Sequence, residues 1–327
     1  MPVMSYIQAV TAALREEMQR DEKVFVLGED VGKKGGVFGA TKGLHDEFGE
    51  YRVLDTPLAE SAIAGVGIGA AMYGMRPVAE MQFADFIMPA VNQIISEAAK
   101  MRYRSNNDWN VPMTIRAPYG GGVHGALYHS QSVEAIFANQ PGLKIVMPST
   151  PYDVKGLLKA SIRDNDPVLF FEHKRAYRLL KSDVPEDDYV LPIGKADVKR
   201  EGSDVTVITY GLSVHFALQA AEKLEEEGID THILDLRTVY PLDREAIIEA
   251  AQKTGKVLLI TEDNKEGSII GEVAAIIAEN CLFDLDSPIQ RLAGPDIPAM
   301  PFSPTMEKYF MMNPDKVEKA IRELAEF

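Results

Sequence analysis

Residues 3–20 carry apolar side chains at Ile7, Val10, Leu14 and Met18, the spacing that lines one face of an amphipathic helix. Beyond them, short apolar runs alternate with helical patterns. The run 24–27 reads as a buried strand ended by Gly28-Glu29-Asp30. Arg52-Val53-Leu54 reads as a second strand. It leads into a helix expected to start with Thr56 as N-cap and Pro57 at the first helical position. Strands are expected at 77–83, 113–116, 144–147 and 167–171, with helices at 85–104 (one long helix) and 153–163. Such alternation implies a parallel sheet covered on both faces. The polar stretch 178–203, with Pro185, Pro192 and Gly202, interrupts it. A second alternation follows, with strands at 205–209, 231–235, 257–260 and 288–292 and helices at 213–227, 243–253, 268–279 and 314–326. The pattern predicts an α/β protein of two doubly wound domains: 1–185, a linker over 186–202, and 203–327.

A length of 327 residues suits two domains, and 46% apolar residues can fill two cores. Lys and Arg number 34 against 49 Asp and Glu, a formal charge of −15. That balance argues against nucleic acid and against an anionic membrane surface, and would suit a basic protein partner. The single cysteine, Cys281, excludes an internal disulfide and any multi-cysteine metal site. No secretory signal, Arg-rich transit sequence or apolar run of about eighteen residues is present, so a soluble, cytoplasmic protein is expected.

Glu60 stands at the mouth of a small apolar segment, 62–73, with no other charge before Arg76. It reads either as a first-turn acid favoured by the helix dipole or as a carboxylate in an apolar wall, tuned for acid–base work. In the same segment Gly65, Gly67 and Ala70 fit the dinucleotide fingerprint GxGxxA, with Asp85 further on. The fingerprint needs a strand running into its first glycine, whereas here a helix precedes it. Small residues inside a helix more simply admit a close-packed neighbour. The glycine loop 32–39 contains Lys33 and Lys34 but lacks P-loop spacing. His124 and His129 lie on a glycine-rich turn, 120–132, in neither an HExxH pattern nor on one helical face. Each reads as a loop histidine held by local hydrogen bonds or as a group facing a ligand above a parallel sheet. No serine sits in a GxSxG elbow. The residues alone give a two-domain α/β protein with a carboxylate and a histidine as candidate acid–base groups.

Ordered blocks along nearly the whole chain resemble the beta chains of thiamine-diphosphate-dependent 2-oxo acid dehydrogenases (the decarboxylating component). They include Gly28-Glu29-Asp30-Val31-Gly32, Asp55-Thr56-Pro57-Leu58-Ala59-Glu60, Glu80-Met81-Gln82-Phe83-Ala84-Asp85-Phe86, His129-Ser130-Gln131-Ser132, Pro141-Gly142-Leu143-Lys144 and Asp235-Leu236-Arg237-Thr238. The resemblance implies a pyrimidine-binding thiamine-fold domain followed by a transketolase C-terminal-like domain. It puts Glu60 against the ring nitrogen of the cofactor's aminopyrimidine, Gln82 and Phe86 beside the ring, a backbone contact near Leu58, and Glu29 in a water tunnel between paired sites. Glu29 also reads as a plain acid at a strand end. His129 resembles the histidine that donates a proton as the acyl group passes to lipoamide. Met113, Thr114, Ser161, Asp164 and Asp166 match a monovalent-cation (K⁺) site.

The family's Gly-Asp-Gly…Asn motif for magnesium and diphosphate occurs nowhere in the sequence. The resemblance therefore implies a separate alpha chain that brings Mg²⁺, an α₂β₂ heterotetramer, and docking on the lipoyl and basic subunit-binding domains of an acyltransferase core. The run 124–131 is similar to branched-chain members, which implies 3-methyl-2-oxobutanoate and its homologues as substrates, with pyruvate the second choice. A nicotinamide oxidoreductase using Gly65, Gly67 and Ala70, and a scaffold without chemistry, are the competing readings; Glu60 and His129 in intact motif context argue against the scaffold.

Overall fold

The computed structural model describes residues 2–327. Contacts divide them into two compact units, one of residues up to Tyr119 with Ile136–Ile193, the other of Gly120–Ala135 with Gly194–Phe327. The chain's strands are β1 (Val3–Ser5), β2 (Val24–Gly28), β3 (Val53–Asp55), β4 (Arg76–Glu80), β5 (Thr114–Tyr119), β6 (Lys144–Val146), β7 (Val168–His173), β8 (Lys181–Asp183), β9 (Asp197–Arg200), β10 (Val205–Thr209), β11 (Thr231–Asp235), β12 (Thr238–Tyr240), β13 (Val257–Asn264) and β14 (Gln290–Gly294).

In the first unit a parallel sheet runs in the order β6-β7-β5-β4-β2-β3. Strands β2, β5 and β7 are buried along their whole length, as expected of a sheet covered on both faces. Helix Tyr6–Arg20 starts with a capping box between Ser5 and Gln8 and buries Tyr6, Val10, Leu14 and Met18. It packs on helix Pro151–Arg163, which Thr150 caps. A small antiparallel sheet of β1 and β8 ties down the start of the chain.

Two helices differ from the sequence expectation. The helix expected to begin at Thr56 and Pro57 begins at Glu60, and Ala59 precedes it without a side-chain cap. Thr56 donates its N–H to Gly28 O (2.9 Å), so the chain stays extended beyond β3 and turns helical only at Glu60. The single helix expected over 85–104 is three pieces: a 3₁₀ stretch Ala84–Ala90, a π stretch Asn92–Ala98 and an α turn Met101–Arg104. Pro89 lies inside the first and has no N–H to donate. The widened turn shows in Ala99 N–H reaching Ile94 O at 3.0 Å.

In the second unit the order is β14-β13-β10-β11-β9, parallel except for β9. Strand β9 lies inside the stretch read as linker. Its sequence, Asp-Val-Lys-Arg, is polar because it is a sheet edge, where charges ward off further pairing. Helices Ser213–Glu225, Arg244–Thr254, Ile269–Cys281 and Pro314–Ala325 cover the sheet, and a short helix, Pro304–Phe310, comes before the last of them. The histidine loop belongs by sequence to the first alternation, yet Gly120–Ala135 groups with this second unit. Among the described residues no helix is long and apolar enough to cross a membrane.

Candidate active site

In the first unit, the ends of β2 and β4 lie side by side, with Gly28 opposite Glu80. The approach is so close that a Cβ on Gly28 would sit 2.7 Å from Glu80 O. Glu29 follows directly and is only 8% exposed; its Oε1 is buried without a hydrogen-bond partner. Burial raises its carboxyl above the ordinary range, helped by the charges of Glu60 and Asp30. Glu60, 9% exposed, opens its helix where the macrodipole favours a carboxylate. Gln82 donates to Asp30 Oδ2 at 3.5 Å, and Lys34 pairs with the same oxygen at 2.8 Å. The structure thus gathers Glu29, Asp30, Glu60 and Gln82. Phe86 stands edge-on to Phe83 (5.5 Å between centroids), which in turn meets Phe38 at 5.4 Å. The turn bearing Phe86 packs along helix Glu60–Met72. Leu58 is 79% exposed on the segment before that helix.

The unpartnered Glu29 oxygen, beside a second buried carboxylate at the sheet's strand ends, makes this cluster the candidate ligand site. It fits a polar nitrogen heterocycle flanked by an aromatic and an amide.

Beneath these residues lies a buried ionic network that the sequence reading missed. Arg116 donates to Glu80 Oε2 (2.6 Å) and, through two nitrogens, to Glu172 (2.6 and 2.7 Å). Tyr177 donates to Glu172 Oε2 at 2.5 Å. Burial opposes the Arg116 charge, but the two carboxylates outweigh it and raise its pKa. Burial raises Glu80 too, against the pull of Arg116. The signal was present in the sequence: arginine and glutamate inside otherwise apolar strands are costly unless they meet.

The second unit holds His129. It is half-buried and closes a 3₁₀ turn, Ala126–Tyr128. The loop leading to it is irregular, with φ of 56° at His124 and 54° at Ala126, a left-handed conformation that costs a non-glycine residue about 1–3 kcal/mol. Carboxylates hold the loop: Glu262 Oε1 accepts from Gly121 N–H at 2.6 Å, and Glu307 Oε1 from Gly122 and His124 N–H at 3.0 and 3.1 Å. A Cβ on Gly121 would lie 2.6 Å from both Met300 Cε and Met311 Sδ, so a larger residue there would have to push these methionine ends aside. Gln131 Nε2 donates to Leu127 O at 2.7 Å. A cavity beside the loop is lined by Ser130, Gln131, Ser132, Glu262, Asp263 and Met300, among others. Burial and the neighbouring Glu262 push Asp263 up to about 6.

The proposed cation ligands Met113, Thr114, Ser161, Asp164 and Asp166 lie near one another at the edges of β5 and helix Pro151–Arg163, but their oxygens are largely engaged. Lys144 Nζ sits 2.6 Å from Asp164, and Arg102 Nε 2.5 Å from Asp166. Arg76 Nη1 donates to the carbonyls of Ile162 and Asp164, each at 2.9 Å, and Ser161 Oγ donates to Leu157 O at 2.7 Å. Met113 O accepts from Val168 N–H at 2.9 Å, and Thr114 Oγ1 alone is buried without a partner. With Lys144 and Arg102 already neutralising its carboxylates, this donor set does not fit a bound monovalent cation. The nucleotide alternative also lacks its geometry. Gly65, Gly67 and Ala70 lie inside helix Glu60–Met72, and Gly67 is where Met113 packs, 2.4 Å from a would-be Cβ.

Residues 3–179 match the transketolase pyrimidine-binding domain family and residues 194–317 the transketolase C-terminal domain family. Over 327 residues, covering 100% of both chains, the sequence is 82% identical to the 2-oxoisovalerate dehydrogenase subunit beta of Bacillus subtilis (strain 168). Over the same coverage it is 49% identical to the pyruvate dehydrogenase E1 component subunit beta of that organism. A solved split-gene transketolase, described as an inactive beta4 tetramer, shares the fold with a TM-score of 0.79 at 24% identity, over 99% of this chain and 98% of that one. The class is thus the two-domain transketolase type, whose first domain is pyrimidine-binding. Within it, the chain belongs to the family of 2-oxo acid dehydrogenase beta subunits, enzymes that use thiamine diphosphate and need an alpha subunit.

Proposed function

We propose that this chain is the beta subunit of a 2-oxoisovalerate dehydrogenase. With its alpha subunit, in the cytoplasm, it would decarboxylate 3-methyl-2-oxobutanoate and its homologues oxidatively and pass the acyl group to lipoyl groups of an acyltransferase core. The observation that carries the substrate reading is the gap between 82% and 49% identity to the two kinds of relative.

The pyrimidine half of thiamine diphosphate would be held by Glu60, Gln82, Phe86 and the backbone at Leu58, with Glu29 behind them. When bound, the cofactor supplies the nucleophilic carbon and the electron sink for loss of carbon dioxide. Glu60 would hydrogen-bond the pyrimidine ring nitrogen, the place from which a carboxyl can pass a proton to and from the ring. The linked rings of Phe38, Phe83 and Phe86 would form an apolar wall beside the bound pyrimidine. Glu29, buried and within the electrostatic reach of Glu60, would hold its own proton more readily than an exposed glutamate. His129 delivers a proton to the lipoyl sulfur that leaves as the acyl–sulfur bond forms. Mg²⁺ and the diphosphate would be bound by the alpha subunit. The chain's charge of −15 suits docking of a basic subunit-binding domain of the core.

The test is a comparison of kcat/KM for 3-methyl-2-oxobutanoate and pyruvate in the co-expressed alpha–beta enzyme. A preference of roughly tenfold or more for the branched acid is expected, the scale that one or two methyl groups confer in an apolar pocket. A preference for pyruvate would replace the substrate while keeping the chemistry.

A further inference from the structure

We infer that Glu307, outside the residues that meet cofactor or substrate, is a positioning residue for acyl transfer, because its buried carboxylate anchors the loop that carries His129. This rests on the reading of His129 as the proton donor to lipoamide.

Three interactions converge on one side chain. Oε1 accepts the N–H of Gly122 (3.0 Å) and of His124 (3.1 Å), and Oε2 meets His124 Nδ1 at 2.5 Å. The Glu307 side chain is 3% exposed, whereas that of His124 is 57% exposed. The anchor is therefore fixed inside the second unit while its partner lies at the surface. A buried carboxylate must be matched by donors, and here every donor to it recorded in the structure comes from the histidine loop. The loop needs such an anchor. His124 and Ala126 both adopt the left-handed conformation, uncommon outside glycine and least suited to Ala126. Glu307 is placed on helix Pro304–Phe310; Phe310 at its end and Met311 just after it pack with Met300, and Met300 and Met311 close over Gly121. One short helix thus grips the loop by hydrogen bonds at Gly122 and His124 and reinforces a methionine seat at Gly121. His129 follows five residues after His124 on the same loop, so loosening the anchor displaces the imidazole without altering the pyrimidine pocket.

The experiment uses the assembled alpha–beta enzyme with thiamine diphosphate and Mg²⁺, and compares Glu307→Ala, Glu307→Gln and His129→Ala. Three readouts are taken: decarboxylation with an artificial electron acceptor, acylation of a lipoyl domain, and amide hydrogen exchange over residues 120–135. In Glu307→Ala, acylation should fall roughly 10- to 100-fold further than decarboxylation, the scale of a misplaced catalytic group. Exchange over 120–135 should rise. Glu307→Gln keeps an oxygen acceptor for both N–H groups and should recover part of both effects, which also covers an alanine variant that fails to assemble. Unchanged exchange over 120–135 in both variants, or equal loss in the two half-reactions, would overturn the inference. If His129→Ala fails to separate the half-reactions, the reading of His129 falls; the anchoring itself is still decided by the exchange data.

Discussion

At the scale of single residues, buried carboxylates show how the second unit uses charge. Glu134 is almost wholly buried; its Oε1 accepts from Tyr210 at 2.8 Å, while its Oε2 is buried with no partner. Burial, with the charges of Asp263 and Glu262 nearby, pushes its pKa from the ordinary 4.5 to about 8. The folded chain therefore holds this proton at pH values where the unfolded chain has released it. Stability from this group is complete below about pH 4.5 and is lost as pH rises towards 8. Glu134→Gln keeps the bond with Tyr210 and removes the ionisation. Its Tm should fall less than that of the parent between pH 5 and 8, an expected range set by linkage at about one proton. A decline as steep as the parent's would contradict the assignment. Glu60 and His129 could be singled out from sequence because each stands in a distinctive local setting. Glu134 and Glu307 could not. What marks them is burial and partners far along the chain: Tyr210 for one, the glycine loop for the other.

At the scale of elements, the strands were legible because parallel strands buried on both faces read as unbroken apolar runs, as in 168–171 and 257–260. The two misread helices share a different cause. Thr56 and Pro57 satisfy every local rule for a helix start, yet the Thr56 N–H is claimed by Gly28 O across the sheet. The segment expected as one helix, 85–104, has helical periodicity but contains Pro89, which cannot donate to the ladder, and it folds as a tighter and then a wider turn. Strand β9 was hidden by its polar edge composition. The turn before β6 shows how closely elements are fitted. Gly142 has φ of 102°, and a Cβ there would lie 1.9 Å from Ala99 O at the end of the π stretch. Backbone cannot yield as a side chain can. Gly142→Ala should therefore lower stability by about 2–3 kcal/mol, the upper part of the overpacking range, seen as a lower denaturant midpoint. A midpoint within error of the parent would mean that this approach is not tight.

At the scale of the whole molecule, the groups proposed for acid–base work are divided between the two units: Glu29 and Glu60 in the first, His129 in the second. The sequence supplies the residues that suit a pyrimidine but no Gly-Asp-Gly motif for magnesium and diphosphate. The central claim is that this chain is half of a thiamine-dependent site and acts only with an alpha subunit. The most direct measurement is decarboxylation of 3-methyl-2-oxobutanoate, followed with an artificial electron acceptor in the presence of thiamine diphosphate and Mg²⁺. It would be run on this chain alone, the alpha chain alone, and the two co-expressed. The account predicts turnover only in the co-expressed enzyme, and its loss there when Glu60 is replaced by glutamine. Turnover by this chain alone, or an undiminished rate with Glu60→Gln, would contradict it.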